Sequence, residues 1–229
     1  LYLKSDWVDS LYGYIYSSEL LDPVYRYSDL GYYMLQKVIE SRTDTLLFPF
    51  VWYHFYQPLG ARRLGFLPLN RFPAGEIVPT ENDLFFRRQL LRGHVHDPGA
   101  AMLGGIAGHA GLFGNANDLA KMMQMYLNGG SYGGDMYLEP STISLYTSCY
   151  DSLNGNRRGL GFDRPVVEEP GEGPACDSAS AVSFGHSGFT GTIAWADPAY
   201  GLLYIFLSNR IHPDQGNTRL IEENVRTRI

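Results

Sequence analysis

Three observations predict an α/β chain of the α+β kind, helical and loop-rich over 1–154 and an antiparallel sheet with a C-terminal helix over 155–229. Leu119, Met122, Met123 and Tyr126 recur at helical spacing between Asn115 and the pair Gly129–Gly130. Three apolar runs, 182–187, 190–196 and 202–208, come late and close together, and "ADPAYG" between the last two is a hairpin-turn sequence. Length and composition fit one folded domain or one domain of two lobes: 229 residues, 45% hydrophobic and 18% charged. A sheet of three or four visible strands needs a helical cover on its apolar face.

The elements follow in order. Residues 1–26 read as short apolar and aromatic patches broken by Gly and Pro. Tyr27–Glu40 predicts a helix capped by Ser28 or Asp29, with Leu30, Met34 and Val38 on its inner face. "YHFYQPLGARRLGF" breaks at Pro58 and Gly60 and reads as loop with short helical turns. Thr80 and Asp83 have the spacing of a capping box for a short helix. Glycines 99, 104, 105, 108, 111 and 114 mark tight turns or close backbone contact. Asn115 or Asn117 then caps the helix that carries the Met/Leu stripe, and Gly129–Gly130 ends it. Pro140 opens another helix through Tyr146. "RRGLGFD" is a short strand candidate, 166–182 an acidic Pro/Gly/Ser-rich loop, and Asn217 to Ile229 a helix with Leu220, Ile221 and Val225 inward.

Composition excludes several classes. The net charge is −6, and the arginine pairs 62–63, 87–88 and 157–158 are isolated and read as solvated, so no basic face for nucleic acid is expected. No stretch approaches the 18 apolar residues of a membrane span. Two cysteines, Cys149 and Cys176, are too few for a disulfide framework and leave their pairing open. The glycine-rich run lacks both a dinucleotide fingerprint and a Lys-Ser/Thr ending, so no nucleotide cofactor is expected.

The chemistry-bearing residues form two groups. His94 and His96, with His109 or Asp97 as a third ligand, are weak candidates for a metal, because alternate residues of a strand share a face. "GHSGF" is no nucleophile elbow: it lacks Gly-x-Ser-x-Gly and the strand-to-helix switch. His186, Ser187 and Gly188 instead read as a strand edge beside a cleft. Gly188 leaves room for a ligand, and the N–H of Phe189 is a candidate oxyanion donor. Tyr27, at the start of the first clear helix, is a candidate proton carrier.

Taken together, "YRYSDLGYYMLQKVIE", "GGIAGHAGLFGNANDLAKMMQMYLNGG" and "FGHSGFTGTIAWADPAYGLLYIFLSNR" resemble the serine β-lactamase and penicillin-binding-protein superfamily, closest to its class C-like esterase and D-aminopeptidase branch. Tyr27 and Asp29 take the places of the Tyr-x-Asn motif. His186, Ser187 and Gly188 take those of Lys-Thr-Gly. The resemblance implies a β-lactamase/transpeptidase-like fold and acyl transfer from an ester, amide or peptidoglycan-like substrate, and it includes domains fused behind bacterial family 3 glycoside hydrolases. Such proteins are periplasmic, envelope-bound or secreted. In that family a Ser-x-x-Lys serine attacks, and lysine and tyrosine move protons. N–H groups of the serine and of the residue after Lys-Thr-Gly hold the oxyanion.

No Ser-x-x-Lys precedes Tyr27. The resemblance therefore covers the later two thirds of the domain, and 1–229 is expected to be a truncated β-lactamase-like domain, inactive alone, whose missing N-terminal part carries the nucleophile. Loss of that part would uncover an apolar face and a sheet edge, so self-association is expected. The alternative is a non-catalytic accessory module that binds cell-wall or glycan ligands.

Overall fold

The computed structural model describes residues 6–22, 24–152, 155–166 and 173–228, so part of the expected 166–182 loop lies outside the described residues. The chain forms two compact units. One comprises Leu1–Tyr53 and Gly65–Phe113, the other His54–Leu64 and Gly114–Ile229.

The first unit opens on helix α1 (Asp6–Ser17), where the sequence suggested only broken patches. Its Tyr12 is buried, with the Lys37 ammonium 4.6 Å from the ring centroid. Helix α2 (Leu30–Thr43) begins where expected, and Ser28 Oγ accepts the Leu30 N–H at 3.2 Å. Asp29 holds the N-cap position without a side-chain cap bond; its carbonyl accepts from the N–H groups of Tyr32 and Tyr33.

The inner face of α2 differs from the expected one. Leu30 and Val38 are exposed, whereas Tyr33 and Gln36 are buried. Spacing alone favoured the aliphatic stripe. The surface that covers α2, however, is the backbone of the glycine-rich segment, which offers polar groups. Gln36 Oε1 accepts the Gly108 N–H at 3.1 Å, and Gln36 Nε2 donates to Ile106 O at 3.4 Å. Gly108 must be glycine there, since a Cβ would stand 2.5 Å from the Tyr32 carbonyl oxygen. Gly111, at φ +112°, comes as close to Gly105 O.

After α3 (Leu47–Val51), the expected helix at Thr80–Asp83 is instead a hairpin. Strand β1 (Pro79–Asp83) pairs antiparallel with β2 (Gln89–Arg92). Asp83 does cap, but it caps a turn: it accepts from the N–H groups of Phe85, Phe86 and Arg87. The side chain of Arg87, read as solvated, is only 6% exposed. Its Nε donates to Asp83 at 2.9 Å, Nη1 to Val95 O at 2.5 Å and Nη2 to His96 O at 2.6 Å. A short helix α4 (Pro98–Met102) completes the unit, capped by Asp97, which accepts the Ala100 N–H.

In the second unit, α5 (Ala116–Leu127) begins at Asn115, whose side chain accepts the Asp118 N–H. Of the expected stripe Met123 is buried, and Met125 is more so. The hairpin of β3 (Ser131–Tyr132) and β4 (Asp135–Met136) follows, then α6 (Pro140–Thr147), which starts at the expected proline. The three late runs form one antiparallel sheet in the order β5 (Phe184–Ser187), β6 (Ile193–Asp197), β7 (Leu202–Phe206). Helix α5 covers one face. Met123 packs on Phe184 and Ala196, with Tyr126, Phe162, Leu203 and Ile205 around them. Each large apolar side chain fully buried there contributes about 1.5–3 kcal/mol. The final helix is shorter than expected: α7 spans only Arg219–Glu222, and turns carry the chain beyond it.

Candidate active site

The residues singled out from the sequence fall in both units, and each group has its own local geometry. In the second unit β5 carries His186 and Ser187, paired with Ala194 and Ile193 of β6. Alternation along the strand puts His186 on the α5 side with Phe184 and sends Ser187 to the opposite face. The strand's other flank meets the "RRGLGFD" segment at one bridge, Asp163 with Gly185, which exchange N–H···O bonds of 2.7 and 3.0 Å. Glycine is required at 185, because a Cβ would lie 2.2 Å from Ala194 O.

His186 is held at both ring nitrogens. Its Nδ1 lies 2.7 Å from Ser187 O, and its Nε2 lies 3.0 Å from Arg158 Nη1. Arg158 Nη2 in turn reaches Asp163 Oδ2 at 2.7 Å, and Arg157 Nη2 reaches Asp163 Oδ1 at 2.9 Å. Asp163 is only 2% exposed, so this carboxylate is a buried anchor for two guanidinium groups. Arg158, read as solvated, is therefore part of this edge, whereas Arg157 keeps a side chain 42% exposed.

Past β5 the chain turns tightly. Gly188 N–H donates to Thr192 O at 2.8 Å, and Gly191, at φ +96°, packs against Ser208 and Arg210. The space left by Gly188 is small on one side, since a Cβ would meet Thr192 Oγ1 at 2.4 Å. The Phe189 side chain is exposed, with the Arg210 guanidinium 5.0 Å from its ring centroid.

In the first unit Tyr27 is exposed and lies three residues before α2. Asp29, also exposed, offers a carboxylate oxygen within 4.8 Å of ligand atoms of Asp97 and His109. His109 Nε2 donates to Asp97 Oδ1 at 2.8 Å, and its ring stacks on Tyr33 at 4.4 Å. Tyr33 is pushed up to about 12, first by burial and then by the charges of Asp97 and Asp29.

The three candidate metal histidines are not brought together. His94 is exposed, and His96 Nδ1 donates to Glu81 Oε1 at 2.6 Å. His109 alone joins a group with metal-ligand spacing among the described residues, with Asp29 and Asp97 rather than with the other histidines. Both thiols, Cys149 and Cys176, are free. Arg158 and Asp163, with Arg157 beside them, adjoin His186 without being singled out by the sequence. The sequence signal was their place in "RRGLGFD", a strand candidate whose partner could not be read.

The helix-backed antiparallel sheet, with His186 and Ser187 at the end of β5 and a helical unit before it, is the β-lactamase and penicillin-binding-protein-like fold. The family model "Beta-lactamase" matches residues 4–226, and the chain belongs to that family.

Among curated proteins it is similar to one from Escherichia coli K12 named "Putative D-alanyl-D-alanine carboxypeptidase", 35% identical over 200 residues, covering 81% of this chain and 45% of that protein. The chain thus spans less than half the length of this relative. Among solved structures it is similar to a penicillin-binding-protein homolog from Caulobacter crescentus (TM-score 0.60, 22% identity, 89% of this chain and 58% of that one). It is also similar to simvastatin synthase from Aspergillus terreus (TM-score 0.59, 15% identity, 89% and 55%). At these identities the two structures establish the fold.

Proposed function

We propose that this chain is the tyrosine- and His-Ser-Gly-bearing part of a serine hydrolase that transfers acyl groups from an ester, an amide or a peptidoglycan-like D-peptide. The observation that carries the reading is motif placement. Tyr27-Ser28-Asp29 leads into helix α2, and His186 and Ser187 end strand β5 just before Gly188, in the chain order of the Tyr-x-Asn and Lys-Thr-Gly motifs they resemble. The relationship to a protein named as a D-alanyl-D-alanine carboxypeptidase supports the D-peptide among these substrates.

In this reading the nucleophile is a Ser-x-x-Lys serine supplied by a segment outside these 229 residues, since no serine of the chain has a lysine three places on. Tyr27 moves the proton of the attacking hydroxyl, and Asp29 lies two residues on, at the N-cap of α2. The His186 edge aligns the substrate along β5, and the Phe189 N–H donates to the oxyanion. Such a reaction requires nucleophile and base within hydrogen-bond reach in the assembled protein. The same reading places the parent outside the cytoplasm, on the strength of the family resemblance.

The test is made on the longest natural product of the gene. It is incubated with a fluorescent penicillin and with p-nitrophenyl esters, and acyl-enzyme formation is read by intact mass. An adduct on a serine upstream of Leu1 is the expected result. A parent without Ser-x-x-Lys, or with it and yet without adduct or turnover, would overturn the reading in favour of a non-catalytic module.

A further inference from the structure

The contacts of His186 constrain its proton. A neutral imidazole has one N–H donor and one lone-pair acceptor, and an imidazolium has two donors and no acceptor. Nδ1 faces the carbonyl oxygen of Ser187 at 2.7 Å, which can only accept, so Nδ1 carries the hydrogen. Nε2 faces a guanidinium nitrogen of Arg158 at 3.0 Å, which can only donate, so Nε2 offers its lone pair. One assignment satisfies both: a neutral ring, protonated on Nδ1. Arg158 is itself pinned from the other side by Asp163 Oδ2 at 2.7 Å, and Asp163 is pinned by its backbone bridge to Gly185, the residue before His186. Strand, carboxylate, guanidinium and imidazole therefore close a ring of contacts around one point of β5.

We propose that Arg158 is a positioning residue for the His186 edge: it fixes the tautomer and orientation of the ring, and the permanent positive charge at this place belongs to Arg158 rather than to His186. In this arrangement His186 is not the proton-transfer group, because its hydrogen is given to Ser187 O and its lone pair receives one from Arg158. Arginine suits this place, since its fork reaches a carboxylate and a ring nitrogen at once and it stays protonated at any working pH. That the edge serves acyl transfer rests on the function proposed above. That Arg158 sets the ring does not.

Long-range proton–nitrogen correlation spectra of the histidine rings test this on the chain as it stands, with His186 assigned by the signals lost in His186→Gln. The wild-type spectrum should show the Nδ1–H tautomer at neutral pH. In Arg158→Gln the ratio of Nδ1–H to Nε2–H should fall by about tenfold, the lower end of what one charge-assisted hydrogen bond sustains. Arg157→Gln, which loses a contact to the same Asp163 but none to His186, should leave the ring spectrum unchanged. A wild-type ring protonated on Nε2, an Arg158→Gln ring identical to wild type, or equal changes in both variants would each overturn the proposal. If Arg158→Gln does not fold, Arg158→Met, which keeps the stem and loses every donor, supplies the same comparison, and a wild-type ring protonated on Nε2 overturns the proposal by itself. Absence of acyl transfer in the parent would sink the proposed function and leave these spectra untouched.

Discussion

Asp97 Oδ1 accepts the Nε2–H of His109 at 2.8 Å and the N–H of Ala100 at 2.7 Å, so one carboxylate both caps α4 and holds the imidazole that stacks on Tyr33. The His109 bond is the main reason the Asp97 carboxyl sits below its ordinary value; burial opposes it, and the Ala100 N–H adds to it. A carboxyl depressed in the folded state stabilises the protein at pH values above its unfolded value of about 3.9. That contribution drains away as pH falls below about 4 and through the lower folded value. Asp97→Asn should therefore show a smaller drop in urea midpoint between pH 6 and pH 3 than wild type. Equal drops would mean that Asp97 is not held down by these contacts.

Arg87 should be the most costly single side chain of the first hairpin to remove. Its guanidinium neutralises Asp83 and lies 3.5 Å from Glu81, both buried, and it closes two backbone carbonyls. Arg87→Ala leaves the Asp83 carboxylate buried without its cation, while Glu81 keeps the His96 Nδ1–H, a change that costs about 3–5 kcal/mol. Urea unfolding at neutral pH measures it. The same network sets an acid limb. Burial alone would raise the Asp83 carboxyl, but Arg87 and three N–H groups outweigh it and hold it down to about 2. This stabilisation is complete above about pH 4 and is lost between about pH 4 and 2.

Asp118 ties the 54–64 segment to α5. Its Oδ2 accepts the Arg63 N–H at 2.6 Å, and its Oδ1 meets Lys121 Nζ at 2.8 Å, which also donates to Gly60 O at 2.6 Å. Asp118→Ala removes the buried carboxylate that accepts from Arg63 and Lys121 and should cost about 1.5–3 kcal/mol, the usual worth of a hydrogen bond to a charged group. Amide exchange should speed up in 60–64 before it does in the sheet.

Tyr27→Phe in the parent should lower kcat/KM for an ester or D-peptide substrate by about 10²–10⁴-fold, the usual worth of a positioned proton carrier. Steady-state kinetics checks it. A loss of less than tenfold would remove Tyr27 from the chemistry.

How much of this the sequence disclosed depends on which partner each residue meets. The α5 stripe, the proline that opens α6 and the three late strands follow from periodicity and turn residues, because helix and sheet bury apolar groups that the pattern displays directly. Helix α1 is hard to read from sequence although Trp7, Leu11 and Ile15 recur every fourth residue, since Gly13 and the tyrosines between them blur the period. The Thr80–Asp83 spacing found the cap and mistook its host: the same carboxylate geometry serves a turn between strands as well as a helix start. The His186 edge was legible as a motif. Its cation was not, because Arg158 is 28 residues away and only the fold brings it to the ring.

The segment 54–64 belongs to a unit whose remaining residues begin at Gly114. During synthesis on the ribosome it emerges long before its anchors. Arg63 waits 55 residues for Asp118, and Gly60 waits 61 for Lys121. Until then the nascent peptide keeps those groups in water, and the loop closes only after α5 has been made.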